Sequence, residues 1–510
     1  MAANKKLLIG YHTNANRYFN NEPEFSVPAK RGGGVDFLLC HIDPLGQTVK
    51  ESCEKARTAA KAIKDLGAEF IANFEEQNFC YKSETPDGFD WGTHSEGVHR
   101  LDIPAEFLKA LASAGNFLGV MYDEFEHVII NRNLSIRMSS KYKLNPPVFK
   151  NADTKSVTEQ GDLLNRQLKE YKDKLMERGA VSLSGEHVFP VLFHTFARNG
   201  IIPNFKSQKE SFSNVQFACA AGAALQYGTE LWNCVDMWYR LTFPGHSAKE
   251  LAKNLEFAYH AGVNRVYVES SQAFFEKDSD EFNENGKAFA DFTEKYRGKE
   301  RDYDVQDYKP EIGIIKYDDS FWGQGRPGLI MWNNMLLGNP KLKVDGYARE
   351  WVRAMNIITH GETGNGGVSW GKIELRSLRR HRSFASMNGA AVFDDRVRKE
   401  SLESLKLCFL CGREISPETL ADVRELVREN GLTVVATKKY MPKDLKAEGV
   451  LIAEAKDGSG VWISPVDLRL PQLRKRLAGF TGNKGEMTYR FGDRVLKMKI
   501  DQDGNGFRVL

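Results

Sequence analysis

The sequence predicts an α/β protein in which a (β/α)8 TIM-type barrel is followed by a Rossmann-like α/β domain and a small C-terminal β domain. Short apolar runs alternate with amphipathic helical stretches from residue 6 to about 300, and no glycine-rich dinucleotide fingerprint follows the first strand. After residue 440, Asp-Gly turns separate segments with alternating polarity. We place the three domains at residues 1–305, 306–440 and 441–510, which suits a chain of 510 residues.

Composition limits the class of partner. Lys and Arg number 71 against 68 Asp and Glu, so the net charge of +3 provides no field that would hold a nucleic acid or a membrane surface. No apolar run reaches the roughly 18 residues that span a bilayer. Seven Cys residues, an odd number, favour reduced thiols over a disulfide framework. As written the chain is expected to be cytoplasmic, or periplasmic or secreted if a leader has been removed.

Seven apolar runs are the predicted barrel strands, at residues 7–13, 35–43, 68–76, 117–126, 188–196, 230–238 and 265–270. Helices are predicted between them at 50–66, 104–114, 154–178 and 247–261. Gly67, Gly115 and Gly262 end three of these helices, because glycine can adopt the left-handed cap. The run 311–319 could close the barrel as its eighth strand or begin the next domain, and we favour the second.

The middle domain repeats the strand–helix alternation, with helices near 346–357 and at 417–430. Ser416 is a predicted N-cap, Pro417 suits the first helical position, and Gly431 ends the second helix. Cys411 ends a strand before Gly412, as a nucleophilic cysteine would in an amidotransferase elbow. The surrounding glycines of that motif and a downstream histidine are absent from the sequence, so we interpret Cys411 as a buried thiol.

Two strand ends carry the carboxylates that could do chemistry, since catalytic groups of such barrels come from the C-terminal ends of the strands. Alternation in RVYVESS directs Tyr267 and Glu269 inward. In GVMYDEFE, alternation groups Tyr122, Glu124 and Glu126 on one face and leaves Asp123 on the other. We expect Glu124 and Glu269 to meet at one mouth, as hydrolysis of a glycosidic bond by two carboxyl groups requires.

Carboxylates on the fourth and seventh runs resemble the arrangement of glycoside hydrolase clan A. The resemblance implies a retaining double displacement without a cofactor, with Glu124 as general acid/base and Glu269 as nucleophile, about 5–5.5 Å apart. Most members of the clan place Asn before the acid/base, whereas this chain has Asp123 there. Glu126 therefore remains the alternative acid/base.

The order of the three domains also resembles family-42 β-galactosidases and family-164 β-mannosidases. This likeness implies exo-acting cleavage of a terminal β-galactoside or β-mannoside, an amidotransferase-like middle domain, and assembly as a homotrimer. It covers the whole chain as architecture but does not identify the sugar or its linkage.

Further polar and aromatic residues at predicted strand ends and in one loop could line a sugar pocket, because indole rings cover the apolar face of a pyranose while carboxylates accept from its hydroxyls. The predicted substrate-binding residues are His12, Asn14, Asp43, Glu75, Trp91, Glu126, His194, Trp232, Asp236 and Trp238.

Two other functions remain open at this point. The barrel could bind a carbohydrate or peptide without cleaving it, as part of an oligomeric scaffold. Alternatively, His12, His41, Asp43, His194 and Asp236 could converge as in metal-dependent barrel hydrolases. No HxH follows the first strand and no HExxH occurs in the sequence, so we assign no metal ligand.

Overall fold

The computed structural model describes residues 5–14, 34–42, 49–74, 83–85, 88–90, 103–123, 155–187, 192–208, 212–237, 246–269, 274–276, 281–317, 335–336, 339–343, 346–363 and 382–510. Within these ranges, no helix is both long enough and apolar enough to cross a bilayer.

Eight parallel strands form a closed barrel, which confirms the predicted fold class. Each strand pairs with the next along the chain, and the eighth pairs with the first. The strands are β1 (Leu8–Asn14), β2 (Phe37–His41), β3 (Glu69–Asn73), β4 (Phe117–Asp123), β5 (Leu183–His187), β6 (Ile202–Ser207), β7 (Trp232–Asp236) and β8 (Arg265–Glu269).

Helices follow most of these strands and pack around the barrel. They are α1 (Val49–Asp65), α2 (Ala105–Leu111), α3 (Val157–Glu177), α4 (Phe193–Arg198), α5 (Ser213–Tyr227), α6 (Ala248–His260) and α7 (Glu284–Tyr296). Gly67, Gly115 and Gly262 adopt positive φ after α1, after the turn that follows α2, and after α6, as predicted. Ser247 forms a capping box at the start of α6 with Glu250.

The prediction for the fifth barrel strand was wrong. Residues 193–196 of the run 188–196 belong to α4, which extends to Arg198, and residues 188–191 lie outside the described residues. Two strands that were not predicted, β5 and β6, flank this helix and complete the barrel. The run 311–319 was rightly placed in the next domain, because Ile312–Lys316 belongs to a second sheet.

A β-bulge reverses the predicted faces of β4. Phe117 pairs with Phe70, but Ile71, the next residue of β3, pairs with Gly119, so β4 carries one extra residue. Gly119 has φ of +138°, and a Cβ there would lie 2.3 Å from the Ser182 carbonyl oxygen. The extra residue shifts the alternation that follows it.

The second domain is built on a six-stranded sheet that begins in sequence with β9 (Ile312–Lys316), the second strand from one edge. Its other strands are β11 (Ala390–Asp394), β12 (Leu407–Cys411), β13 (Thr433–Ala436), β14 (Ile452–Asp457) and β15 (Gly460–Pro465), in the spatial order β11, β9, β12, β13, β15, β14. All neighbours are parallel except the β14–β15 hairpin. Helices α8 (Glu350–Ile358) and α9 (Pro417–Asn430) belong to this domain, and Ser416 and Gly431 cap α9 as predicted.

The predicted boundary at residue 440 requires correction, because β14 and β15 extend the second sheet to Pro465. Conversely, β10 (Met387–Asn388) leaves the second domain and pairs with the last sheet. That sheet contains β10, β16 (Glu486–Phe491), β17 (Arg494–Ile500) and β18 (Phe507–Val509), and α10 (Pro471–Thr481) precedes it. No single boundary in the sequence therefore separates the two C-terminal sheets, because the last sheet includes a strand that precedes most of the second sheet in sequence.

Short elements complete the described chain. Lys5–Lys6 pairs with Glu300–Arg301, which joins the two ends of the barrel domain. The other short pairs are Ser83–Thr85 with Gly88–Asp90 and Met335–Leu336 with Asn339–Lys343, and 3-10 turns cover Ala112–Ala114, Val305–Asp307, Tyr347–Arg349 and Lys399–Ser401.

Helix α5 fastens the second domain to the barrel. Its residues from Ser213 to Ala224 are buried, because the helix packs against β6 of the barrel and against β11 of the second sheet. The approach to β11 is so close that a Cβ on Gly222 would lie 1.8 Å from the Val392 carbonyl oxygen. Glycine is therefore required at this helix position by backbone contact between domains.

Gly222→Ala should destabilise the protein, because the added methyl group meets a backbone carbonyl that belongs to a paired strand and cannot move freely. Overpacking of this kind costs typically about 1–3 kcal/mol. Gly161→Ala is the matched control, since Gly161 lies in α3 and a Cβ there would meet no atom of the described residues within 4 Å. This control should raise stability by up to about 1 kcal/mol. Calorimetric melting of both variants checks the prediction, and equal effects would contradict it.

Candidate active site

The carboxyl end of the barrel carries a ring of polar side chains. Each of the eight strands contributes one residue. In β2, β3, β4, β7 and β8 this residue lies two positions after a member of the apolar layer that fills the barrel interior. We call this set the polar ring: His12, His41, Asn73, Asp123, Glu186, Lys206, Asp236 and Glu269. Four carboxyl groups thus face one ammonium group inside a barrel whose deeper layer is apolar.

Lys206 occupies the centre of the carboxylates. Its Nζ lies 2.6 Å from Glu186 Oε1, 2.9 Å from Glu269 Oε2 and 3.5 Å from Asp236 Oδ2. Lys206 is 2% exposed, Glu186 and Asp236 are fully buried, and Glu269 is 7% exposed. Cys234 adds a thiol that donates to Glu269 Oε2 at 3.5 Å.

The other half of the ring is a hydrogen-bonded chain. Asn73 Nδ2 donates to Asp123 Oδ2 at 2.7 Å and lies 2.9 Å from His41 Nε2. His41 in turn contacts His12, with ring centroids 4.2 Å apart. The contact to Asn73 Nδ2 assigns an acceptor role to His41 Nε2 and hence the Nδ1–H tautomer.

Burial and neighbouring charges shift the pKa of three groups in this region. Burial raises the pKa of Glu186 well above the ordinary glutamate value, and the Asp123 and Glu269 charges add to the rise against the opposing effect of Lys206. Glu186 is therefore a carboxyl group that tends to hold a proton. Enclosure, with smaller contributions from His41 and Lys206, holds the pKa of His12 well below its usual range, and burial raises the pKa of the Cys234 thiol.

Several predicted site residues lie outside the described residues: Asp43, Glu75, Trp91, Glu124, Glu126 and Trp238. Asn14 ends β1, and only its backbone is described. The predicted separation of the Glu124 and Glu269 carboxyl groups therefore stays a prediction. Of the remaining predicted residues, the structure brings His12, Asp236 and Glu269 together in the polar ring.

Two predicted sugar contacts lie elsewhere in the structure. Trp232 begins β7 and belongs to the apolar layer inside the barrel, where its indole Nε1 donates to Glu230 and its ring contacts Arg265. His194 is in α4 rather than at a strand end, and its Nε2 lies 2.8 Å from the Val392 carbonyl oxygen of the second domain. Both side chains therefore pack against other parts of the protein, away from the polar ring.

The strand numbers behind the resemblance also change. Because β5 and β6 replace one predicted run, Glu269 ends the eighth barrel strand and Asp236 ends the seventh. On β4 the bulge directs Asp123 into the ring, while Tyr122 contacts Tyr171 and Phe196 of the outer layer. Alternation had predicted the opposite for this pair.

Glu186 and Lys206, the two residues at the centre of the site, were not predicted from the sequence. Their strands read LSGEH and IPNFKS, which contain too few apolar residues to form a recognisable run. A signal that could have identified them is the arrangement of two short strands on either side of a short helix. Each of these strands carries a charged residue next to its C-terminal end.

Among the described residues, one set of possible metal ligands consists of Glu186 and Glu269 of the ring and the neighbouring Cys234, with donor atoms within 4.8 Å of one another. The Lys206 ammonium contacts both glutamates, and burial favours the neutral thiol of Cys234, whereas a metal binds the thiolate. The set therefore suits an ammonium better than a metal ion. His194, which the sequence offered as a candidate ligand, is bound to the second domain instead.

No protein-family model matches the sequence, and no curated protein matches it. Solved structures with some likeness include a family-42 exo-carrageenase from Bacteroides ovatus, with 10% identity over 94% of this chain and 69% of that one and a TM-score of 0.42. The catalytic domain of a chitinase from Pyrococcus furiosus shares 11% identity over 58% and 99%, with a TM-score of 0.32. A thiamine phosphate pyrophosphorylase from the same organism shares 9% over 58% and 98%, with a TM-score of 0.29. These identities and TM-scores are too low to support an argument about function. The barrel fold is established by the strand pairing of this chain itself.

Glu186→Gln should stabilise the protein relative to the native chain as pH rises. A folded-state pKa above the unfolded value means that the native state holds a proton that the unfolded state has released, so native stability falls as pH increases above about 4.5. Gln removes this loss, at up to about 1.4 kcal/mol per pH unit. Urea unfolding of both proteins between pH 4 and pH 8 measures the difference. A difference that is independent of pH would contradict the assignment.

Proposed function

We propose that this protein is a retaining glycoside hydrolase that uses Glu269 as its nucleophile. The observation that carries the proposal is the position of Glu269: among the four carboxylates of the polar ring it keeps the largest exposed surface, and a buried ammonium contacts it. A nucleophile must be ionised and must reach the substrate, and both conditions favour this residue.

The other carboxylates of the ring fit this role less well. Glu186 and Asp236 are fully buried and Asp123 is 1% exposed, so a sugar above the ring reaches Glu269 first. The choice of Glu269 therefore rests on access and charge, and no longer on its strand number.

The acid/base of the proposed reaction is Glu124, with Glu126 as the alternative. Glu124 follows β4 directly, and β4 lies four strands away from β8 in either direction around the barrel. Groups from opposite strands can approach one substrate from two sides, which is the arrangement that double displacement needs.

In the first step, a Glu269 oxygen would attack the anomeric carbon while the bond to the leaving oxygen breaks and Glu124 donates its proton to that oxygen. In the second step, Glu124 would take a proton from water, the water oxygen would attack the same carbon, and the bond to Glu269 would break. Neither step needs a cofactor.

The proposed substrate is a carbohydrate with a terminal β-galactoside-like or β-mannoside-like unit, as the family resemblance implies. The polar ring supports this class, because His12, His41 and the carboxylates can exchange hydrogen bonds with hydroxyl groups. A panel of aryl glycosides would identify the sugar.

Glu269→Ala should abolish turnover of the cleaved aryl glycoside, and azide should restore it by forming a glycosyl azide of inverted configuration, since one displacement replaces two. Glu124→Ala with azide should form the azide of retained configuration, because azide replaces water in the second step. Proton NMR of the products distinguishes the two.

Glu230→Ala is the matched control, because Glu230 is exposed before the amino end of β7 and should not affect turnover. Near-native activity of Glu269→Ala on every cleaved glycoside would refute the nucleophile. An azide product from Glu126→Ala instead of Glu124→Ala would transfer the acid/base role to Glu126.

We also propose that the protein forms a trimer, as the resemblance implies. Exposed apolar residues support self-association: Val450 is 90% exposed and Val466 is 68% exposed, and the Val466 amide donates to the carbonyl of Leu451. Light scattering should show a trimer for the native chain and a smaller species for the double variant Val450→Asp and Val466→Asp. A native monomer would contradict this proposal.

A further inference from the structure

We propose that Lys206 is the positioning residue of the site, which holds the Glu269 carboxylate ionised and fixed at the barrel mouth. The inference rests on the proposed function for its catalytic meaning, but its electrostatic content concerns the described residues alone.

Three strands bring partners to the same ammonium. Lys206 comes from β6, Glu186 from β5, Asp236 from β7 and Glu269 from β8, and the Nζ distances of 2.6, 3.5 and 2.9 Å leave little freedom for the lysine end group. A flexible side chain is thus held from several directions. Its contact with Glu269 is a charge-assisted hydrogen bond.

Lys206 carries the positive charge on which the described ring depends. The ring contains four carboxyl groups, those of Asp123, Glu186, Asp236 and Glu269. Its residue His12 adds no second cation, because burial, with smaller contributions from His41 and Lys206, holds the pKa of His12 well below its usual range. Without the ammonium, several carboxyl groups would face one another in a region shielded from water, where ionisation is disfavoured.

Among the described residues, the groups that face Glu269 come from β1, β5, β6 and β7. Lys206 and Cys234 contact it directly, Asp236 is its register partner on β7, and Glu186 is close enough to be affected by its charge. On its other side, β1 contributes His12 to the same ring. Of these groups, Lys206 favours the ionised form of Glu269, whereas the two carboxylates oppose it.

The buried Glu186 completes this arrangement. Its Oε1 is paired with the Lys206 ammonium at 2.6 Å, whereas its Oε2 has no hydrogen-bond partner within the part of the chain that the structure describes. A proton on Glu186 removes one negative charge from the cluster. With Glu186 neutral, one fewer negative charge opposes the ionised form of Glu269.

The test is the pH profile of kcat/KM for Lys206→Met on the glycoside that the native enzyme cleaves best. Loss of the ammonium should move the acidic limb of the profile upward by about one to three pH units, because the nucleophile then ionises only at higher pH. Arg265→Met is the matched control: Arg265 is a partly buried cation of the same barrel with carboxylate partners at the opposite end. Its acidic limb should stay within a few tenths of a pH unit of the native one.

A uniform loss of kcat/KM with an unmoved acidic limb would show a merely structural role and overturn the inference. If Lys206→Met does not fold, Lys206→Gln removes the charge while keeping a polar end group, and the same shift is expected. Lys206→Arg keeps a positive charge and should leave the acidic limb near its native position.

A second measurement separates this inference from the proposed function. In protein labelled with carbon-13 at the glutamate carboxyl groups, the signal that Glu269→Gln removes should titrate at higher pH in Lys206→Met than in the native chain. Unchanged titration would overturn the inference even for an active glycosidase. A shifted titration in a protein that cleaves no glycoside would support the inference and refute the proposed function.

Discussion

The contact between the Lys206 ammonium and three carboxyl groups is the interaction on which the rest of the site depends. Placing this much charge inside a barrel is unfavourable unless each charge has a partner, and here one cation serves Glu186, Asp236 and Glu269 together. The consequence is an asymmetric site, in which the carboxyl groups from β5 and β7 are fully buried and the Glu269 carboxylate from β8 is 7% exposed. In the proposed reaction, that asymmetry distinguishes the nucleophile Glu269 from the carboxyl groups that surround it.

The rest of the fold keeps this cluster in place. The apolar layer that includes Leu39, Met121 and Tyr267 fills the barrel below the polar ring, so the ring closes a packed interior and does not line a pore. Outside the barrel, α5 is clamped between β6 and β11, and Asp394 of the second domain binds Arg198 and Tyr227 of the barrel domain. The second domain thus stabilises the side of the barrel that carries Glu186 and Lys206.

How much of this could be predicted from the sequence depended on how regularly each strand alternates. In β8, Val266, Tyr267, Val268 and Glu269 alternate without interruption, so the inward position of Glu269 was predictable and is confirmed. In β4 the bulge at Gly119 adds a residue, and a pattern of period two cannot register an inserted residue without knowledge of the partner strand. The helix ends were predictable for a different reason, since caps such as Ser416 and Gly431 act locally.

The functional centre was harder to predict because polar function weakens the signal of a buried strand. β5 and β6 give their inward positions to Ser184, Glu186, Asn204 and Lys206, which removes the apolar run by which strands are recognised. Similarly, the β14–β15 hairpin resembles a separate β domain in sequence, and only its pairing with β13 assigns it to the second sheet. Long-range pairing, which the sequence does not display, decides both cases.

Trapping the covalent glycosyl-enzyme intermediate tests the role of Glu269 as nucleophile most directly. A 2-deoxy-2-fluoro glycoside with a good leaving group slows both steps of double displacement and should leave the sugar bound to the nucleophile. Mass spectrometry of the digested protein is expected to find one added sugar, on the peptide that contains Glu269. A sugar on Asp236 or on another carboxylate, or turnover of the parent glycoside with no trapped sugar, would contradict the central claim.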